Sequence, residues 1–242
     1  LIKVETDPKA GLQASLSGDI LIVIDVLRFT SSIVTGLAAG AKQFITVTTL
    51  KKARNIHKKN KNYLLAGERK GLKPKDFHLG NSPIEYKKSN LKEKIIVIST
   101  TNGTKTIEYC KKSKLLLIAS FLNAHAISTY IVDHIPKEDN ISIILASKNH
   151  TIFLEDFICA GLLVSNIINL TLKQDLNDDA ILAKLAWNSA KDDLEKTIVE
   201  GHHASYLESI GFKEDVKFCV NRDIYDLIPF VQGNKICKKN LG

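Results

Sequence analysis

Six largely apolar runs alternate with stretches whose apolar positions recur at helical spacing. The runs are ILIVID (20–25), QFITVTT (43–49), NYLLAGE (62–68), KIIVIST (94–100), LLLIAS (115–120) and ISIILAS (141–147). Continuous runs of β-branched and aliphatic residues predict strands buried on both faces. IKVET (2–6) predicts a short edge strand, ended by PKAG. The intervening period predicts helices over 30–39, stopped by Gly40, over a Lys-rich surface segment at 50–60, from the TTNGT turn to about Lys112, near 123–134 and over 154–170. From about residue 175 the pattern turns helical, and LIPFVQ is a last apolar piece that returns to the sheet. Trp187, at helical spacing with Ile181, Leu182 and Leu185, reads as core. The alternation predicts a three-layer α/β/α sandwich with a mostly parallel or mixed sheet. We expect one α/β domain over 1–242, with a helical C-terminal part and no clean linker.

The connection at 69–86, RKGLKPKDFHLGNSPIEY, breaks the alternation. It has no sustained period, and a loop this long inside a compact domain is usually a binding loop, a lid or disorder. Phe77, Leu79 and Ile84 point to an ordered binding loop.

Four strand ends or helix starts carry polar clusters: Asp25 with Arg28, Glu68 with Arg69, Thr100–Thr104, and Glu155 with Asp156. Each has an ordinary explanation, as a helix cap, a dipole complement or a plain Asn-Gly turn. On parallel strands, however, the carboxyl ends converge on one rim, where open α/β sheets bind ligands. At such a rim a carboxylate holds a hard cation, while Arg and helix N–H groups hold an anion. The combination suits a phosphate–metal pair.

Composition narrows the partners. The net charge is +8, and the excess is Lys spread over helix faces and loops such as KKARNIHKKNKN, without interleaved aromatics. That is a solvated basic surface rather than a nucleic-acid footprint. Arg occurs only at 28, 54, 69 and 222, so the two beside candidate motifs stand out. Apolar runs of about six to eight residues are too short to span a bilayer. No basic n-region with an apolar h-region opens this sequence, so we expect no secretion signal, and Cys110, Cys159, Cys219 and Cys237 form no C-x-x-C pair, which together predict a reduced, cytoplasmic protein.

Sequence patterns exclude several phosphate chemistries. There is no G-x-x-x-x-G-K-[ST], no G-x-G-x-x-G and no G-x-S-x-G. No Cys opens a short phosphate loop closed by Arg, and Asp25 is not followed two residues later by a second Asp. Cys159, on an apolar helix, reads as a small buried hydrophobe rather than a nucleophile. His78 lies in the binding loop, His125 at a helix start near the site, and the adjacent His202 and His203, which could pair on a metal, read more readily as solvated residues of a polar segment.

DVLRFTSSIVTGL, AGERKGLKPKDFHLGNSPIEY, TTNGTKTI, SFLNAHAI and EDFICAG follow one another in this order. Over roughly 20–170 the chain resembles the 2-phosphosulfolactate phosphatase (ComB) family of coenzyme M biosynthesis, and GFKEDVKFC and Pro229 resemble its C-terminal part more loosely. Phe29 stands where the pattern has a small residue, and ASKNHTIF (146–153) replaces a Gly-rich segment. The resemblance implies a Mg²⁺-dependent phosphoric monoester hydrolase that converts 2-phospho-3-sulfolactate into 3-sulfolactate and phosphate.

On that reading Asp25 and Glu68 hold Mg²⁺, which activates a water. Asp25, Arg28, Glu68 and Asp156 form the catalytic set, with Asp156 or Glu155 as general base or outer support for the metal. Arg69, Lys70, Asn81, Ser82, Thr101, Asn102, Gly103, Thr104 and Asn123 bind a small anionic phosphorylated substrate. Neither nucleic acid nor membrane is an expected partner, and a homo-oligomer stays open. Two alternatives also stay open: a phosphatase for a different small phosphoester, and a non-catalytic binding protein for an anionic metabolite.

Overall fold

The computed structural model describes residues 1–147, 151–171 and 175–239, without the side chain of residue 171. Among the described residues, nine strands form one sheet in the order β1-β7-β2-β6-β8-β9-β3-β5-β4. They are β1 (Ile2–Glu5), β2 (Ile20–Ile24), β3 (Gln43–Thr46), β4 (Leu64–Gly67), β5 (Ile95–Ser99), β6 (Leu116–Ala119), β7 (Ile141–Leu145), β8 (Pro229–Gln232) and β9 (Lys235–Lys238). All pairings are parallel except those of the β8–β9 hairpin, which lies antiparallel between β6 and β3 and joins two parallel halves. The expected mixed α/β sandwich is therefore present, and LIPFVQ does supply a strand.

Strict alternation on the central strands explains the layers. Ile20, Ile22 and Ile24 of β2 enter one core with Leu117, Ala119, Ile141 and Ile143. Leu21 and Val23 enter the opposite core with Leu116, Ile118 and Ile144. The first core is closed by α6 (Ala124–His134), α7 (Leu154–Thr171) and α8 (Asp178–Ala190). The second holds α2 (Phe29–Ala38), whose first nine residues are all buried. Phe29, Ile33, Val34 and Leu37 of α2 share that core with β2, β6 and β7 and also with Phe44 of β3, Ala66 of β4 and Ile96 and Ile98 of β5. The sheet thus wraps round a buried helix, which brings strands far apart in the sheet order to a common rim. α5 (Gly103–Cys110) and α1 (Ala10–Leu16) pack beside it, and α3 (Leu50–Lys59) covers a third, smaller core with Ile45, Leu65 and Val97.

Three expectations change. PKAG runs into α1, a seven-residue helix with no side-chain N-cap and hence little local signal. The connection at 69–86 is ordered, with Phe77 and Leu79 buried, but it ends in α4 (Pro83–Lys88). Ser82 caps that helix by accepting from Glu85 N, and Pro83 supplies a preset first turn. Trp187 is core, whereas Ile181, Leu182 and Leu185 are exposed, because α8 turns Ala180, Ala183, Trp187 and Ala190 inward. Of the 146–153 segment, residues 148–150 lie outside the described residues.

Three short helices, α9 (Leu194–Val199), α10 (His202–Ser209) and α11 (Lys213–Cys219), then lead to the hairpin. Among the described residues no helix is long and apolar enough to cross a membrane.

Candidate active site

β2 leaves the core at Asp25, which is 9% exposed. Its backbone carbonyl accepts from Thr30 N at 2.8 Å and Thr30 Oγ1 at 2.9 Å, and its Oδ1 accepts from Phe29 N at 3.3 Å. The carboxylate therefore closes the first turn of α2, and Oδ2 remains without a partner among the described residues. Opposite it is Gly103, at the start of α5. A Cβ there would lie 2.7 Å from Asp25 Oδ2 and 2.3 Å from the Phe29 ring. Only glycine lets the turn after β5 close onto the end of β2, and Phe29 fills the space that Gly103 leaves.

Glu68 follows β4 and is also buried. Its Oε1 accepts from Thr101 N at 2.7 Å and its Oε2 from Gly71 N at 2.9 Å. Each carboxylate oxygen keeps a second lone pair. A cavity of about 250 Å³, with charged and polar side chains among its lining residues, opens at these carboxylates. Its walls are Asp25, Leu27 and Arg28 after β2; Glu68, Lys70, Gly71 and Asn81 after β4; Thr100, Thr101 and Asn102 after β5; and Phe153, His203, Tyr206 and Leu207 from the helical part.

Several expected residues meet there as the converging strand ends predicted. Others are engaged by partners within the fold, at the cavity or away from it. Arg28 lines the cavity, but its charge is already matched. Nη1 donates to Asp215 Oδ2 at 2.7 Å, Nη2 donates to Gly71 O at 2.6 Å, and the guanidinium lies 3.8 Å from the centre of the Phe212 ring. Arg69 is outside the lining, because it donates to Ser99 O, Ser99 Oγ and Glu68 O and so ties β4 to β5. Ser82 donates to Asp215 Oδ1 at 2.7 Å and caps α4. Thr104 exchanges hydrogen bonds with Thr100 across the turn. Asn123 is fully buried, bonded to Ser120, Ile118 O and Leu227 O. Asp156 accepts from Val26 N at 2.7 Å and holds the end of β2 from behind. His78 accepts from Leu65 N, and His125 is exposed with its N–H on Asp223.

Sequence reasoning missed His203. It is partly buried rather than fully solvated: its Nδ1 lies 2.7 Å from Glu155 Oε1, and its ring packs 4.6 Å from that of Phe153. It arrives on α10, far along the chain from any strand end, so no local pattern points to it. Asp215, which neutralises Arg28, is equally remote.

The electrostatics follow from crowded carboxylates. Burial pushes the Asp25 carboxyl up to about 7, with Glu68 and Glu155 adding to the rise and His203 opposing it. Burial, Glu155 and Asp25 together hold Asp156 well above the carboxylate range. Burial also pushes the Cys159 thiol well up, so it is no nucleophile. A hard cation fits this setting. The nearest donors are all oxygens, and Asn81 Oδ1 and Thr101 Oγ1 are buried without partners among the described residues. Among those residues no three His, Cys, Asp or Glu side chains form a ligand cluster.

The whole arrangement lies inside one family match: the family described as 2-phosphosulpholactate phosphatase covers residues 7–234. A protein of Pseudothermotoga lettingae named probable 2-phosphosulfolactate phosphatase is 38% identical over 221 residues, 91% of this chain and 92% of that protein. Proteins with the same name from Thermotoga maritima and Clostridium novyi are 39% and 35% identical, each over 90% of this chain and over 92% and 91% of their own length. The match runs from before the Asp25 turn, through the Glu68 and Thr101 walls and His203, into the closing hairpin, so the chain belongs to the 2-phosphosulpholactate phosphatase family.

Proposed function

We propose that the protein hydrolyses 2-phospho-3-sulfolactate to 3-sulfolactate and phosphate, that the reaction needs Mg²⁺, and that Asp25 and Glu68 hold the ion. The observation that carries this reading is a buried carboxylate, Asp25, held beside Glu68 and Glu155 at the wall of the cavity, with His203 as its cationic neighbour and no salt bridge of its own among the described residues. When bound, Mg²⁺ would supply charge neutralisation for phosphoryl oxygens and acidify a water.

The chain's own groups supply the rest. Lys70 is exposed at the cavity and has no ion pair among the described residues, so its ammonium is available to a phosphoryl or sulfonate oxygen. The N–H groups of Asn102 and Gly103 at the start of α5 donate to no described acceptor and suit the same anion. Arg28, already paired, sets the field and shape of the wall. Phosphoryl transfer requires mainly positioning and charge stabilisation, and no covalent intermediate is needed.

The test is phosphate release from 2-phospho-3-sulfolactate with Mg²⁺ and with chelator, for the wild type and Asp25→Asn. Release that requires both Mg²⁺ and Asp25 is expected. Release that persists in Asp25→Asn refutes the ligand assignment, and absence of release from any small phosphoester refutes the enzyme.

A further inference from the structure

We propose that His203 is the general acid of this site, protonating the ester oxygen as it leaves phosphorus, and that Glu155 is its positioning residue. The inference rests on the phosphatase reading above. The alcohol released from phosphosulfolactate is aliphatic, and its alkoxide is a poor leaving group without a proton donor at that oxygen. Neither Asp25 nor Glu68 suits this task if they hold a cation, and Lys70 stands exposed at the rim.

His203 has the geometry. Glu155, 1% exposed, engages Nδ1 at 2.7 Å, which leaves Nε2 as the ring nitrogen for the cavity that His203 lines. Phe153 packs on the ring and fixes its plane. Such a carboxylate–imidazole pair fixes the tautomer and steadies the imidazolium. The charged groups that face the imidazole are Glu155 from α7, Asp25 from the end of β2, and Arg28 from the turn before α2. Burial works against its protonation, but the hydrogen bond and charge of Glu155, helped by Asp25, outweigh burial and the repulsion of Arg28, so the imidazole titrates above its ordinary value.

The step balances without a further base. Water oxygen forms a bond to phosphorus, and the bond from phosphorus to the ester oxygen breaks. The ester oxygen keeps the electron pair and takes the Nε2 proton. The products are the alcohol, neutral His203 and dihydrogen phosphate monoanion, which returns one proton to Nε2.

The experiment compares 2-phospho-3-sulfolactate with p-nitrophenyl phosphate, whose phenolate leaves without protonation. His203→Gln should lower kcat on the alkyl ester about 10²–10⁴-fold and on the aryl ester by less than tenfold. Glu155→Gln should move the alkaline limb of the alkyl-ester pH profile toward lower pH. Equal losses on both esters, or an unmoved limb, would overturn the assignment. If either variant does not fold, the wild type still decides: its rate across aryl phosphates should depend weakly on leaving-group pKa below the alkaline limb and steeply above it, and a steep dependence throughout overturns the proposal. A wild type that releases phosphate from neither ester overturns the phosphatase reading itself, which separates the two failures.

Discussion

Asp25→Asn should make the metal-free protein more stable while it abolishes activity. The wild-type carboxyl is held at about 7 in the fold, against an ordinary value of 3.8. A carboxyl raised in this way binds its proton more tightly folded than unfolded. Below both values it contributes nothing. As pH rises from about 4 to about 7 the unfolded chain ionises first and the fold loses stability, and above 7 the penalty is complete. At about 1.4 kcal/mol per pH unit, the upper bound is roughly 4 kcal/mol. Repulsion within the carboxylate cluster is shared with Asp156, so a gain of about 2–4 kcal/mol on removing one charge is reasonable. Asn retains an oxygen to accept from Phe29 N, and its amide would face Glu68 and Glu155 instead of repelling them. For a chain of this size each kcal/mol corresponds to roughly 2–4 °C, so the variant should melt about 5–15 °C higher at pH 8 in chelator. The difference should shrink toward zero at pH 4, and Mg²⁺ should raise the wild-type melting temperature more than that of the variant. A variant that melts lower than the wild type at pH 8, or a difference independent of pH, would refute the account of the site as a strained cluster of carboxylates.

Other perturbations test separate parts of the argument. Asp215→Ala strands the Arg28 guanidinium, whose side chain is 2% exposed, and removes the acceptor of Ser82 Oγ. It should cost about 3–5 kcal/mol in denaturant unfolding, and a cost under about 1 kcal/mol would show that the pair is not structurally important. Gly103→Ala puts a methyl group against Asp25 Oδ2 and the Phe29 ring. It should lower kcat at least tenfold by displacing Asp25, and Phe29→Ala added to it should recover part of that loss. Lys70→Met removes the exposed cation at the cavity and should reduce kcat/KM roughly 10–100-fold with an unchanged melting temperature. An unchanged kcat/KM would remove Lys70 from substrate binding.

What was legible in the chain is what local pattern encodes. The run ILIVID predicts a strand buried on both sides, and its alternate residues do enter two different cores. Asp25, Glu68 and Thr100–Gly103 were visible because each ends a strand, and parallel strands carry such residues to one rim. Two signals were present but masked by their surroundings. Ser82-Pro83-Ile84-Glu85 is a helix start, hidden in a segment whose other Gly and Pro residues read as loop. Gly233-Asn234, with φ of 62° at Gly233, marks the hairpin whose second strand was not expected. The partners of the arginines were not legible for a different reason. Sequence shows that a guanidinium lies beside a motif, but not whether its charge meets a ligand or a partner 187 residues away, as with Arg28 and Asp215.

That long-range pairing also explains why the helical C-terminal part is not an appendage. The strand ends alone supply acids and the Thr100–Gly103 turn, but they leave Arg28 without its counter-ion and the cavity open on one side. α10 and the turn after it place His203, Tyr206, Leu207 and Phe212 on that side, and α11 places Asp215 against Arg28. The hairpin that follows lies between β6 and β3, so the sheet that wraps α2 is completed only when the end of the chain returns. An unpaired buried guanidinium and a gap in the sheet are both costly. The cavity and the core should therefore form in one cooperative transition, with site and fold lost together at the same denaturant concentration.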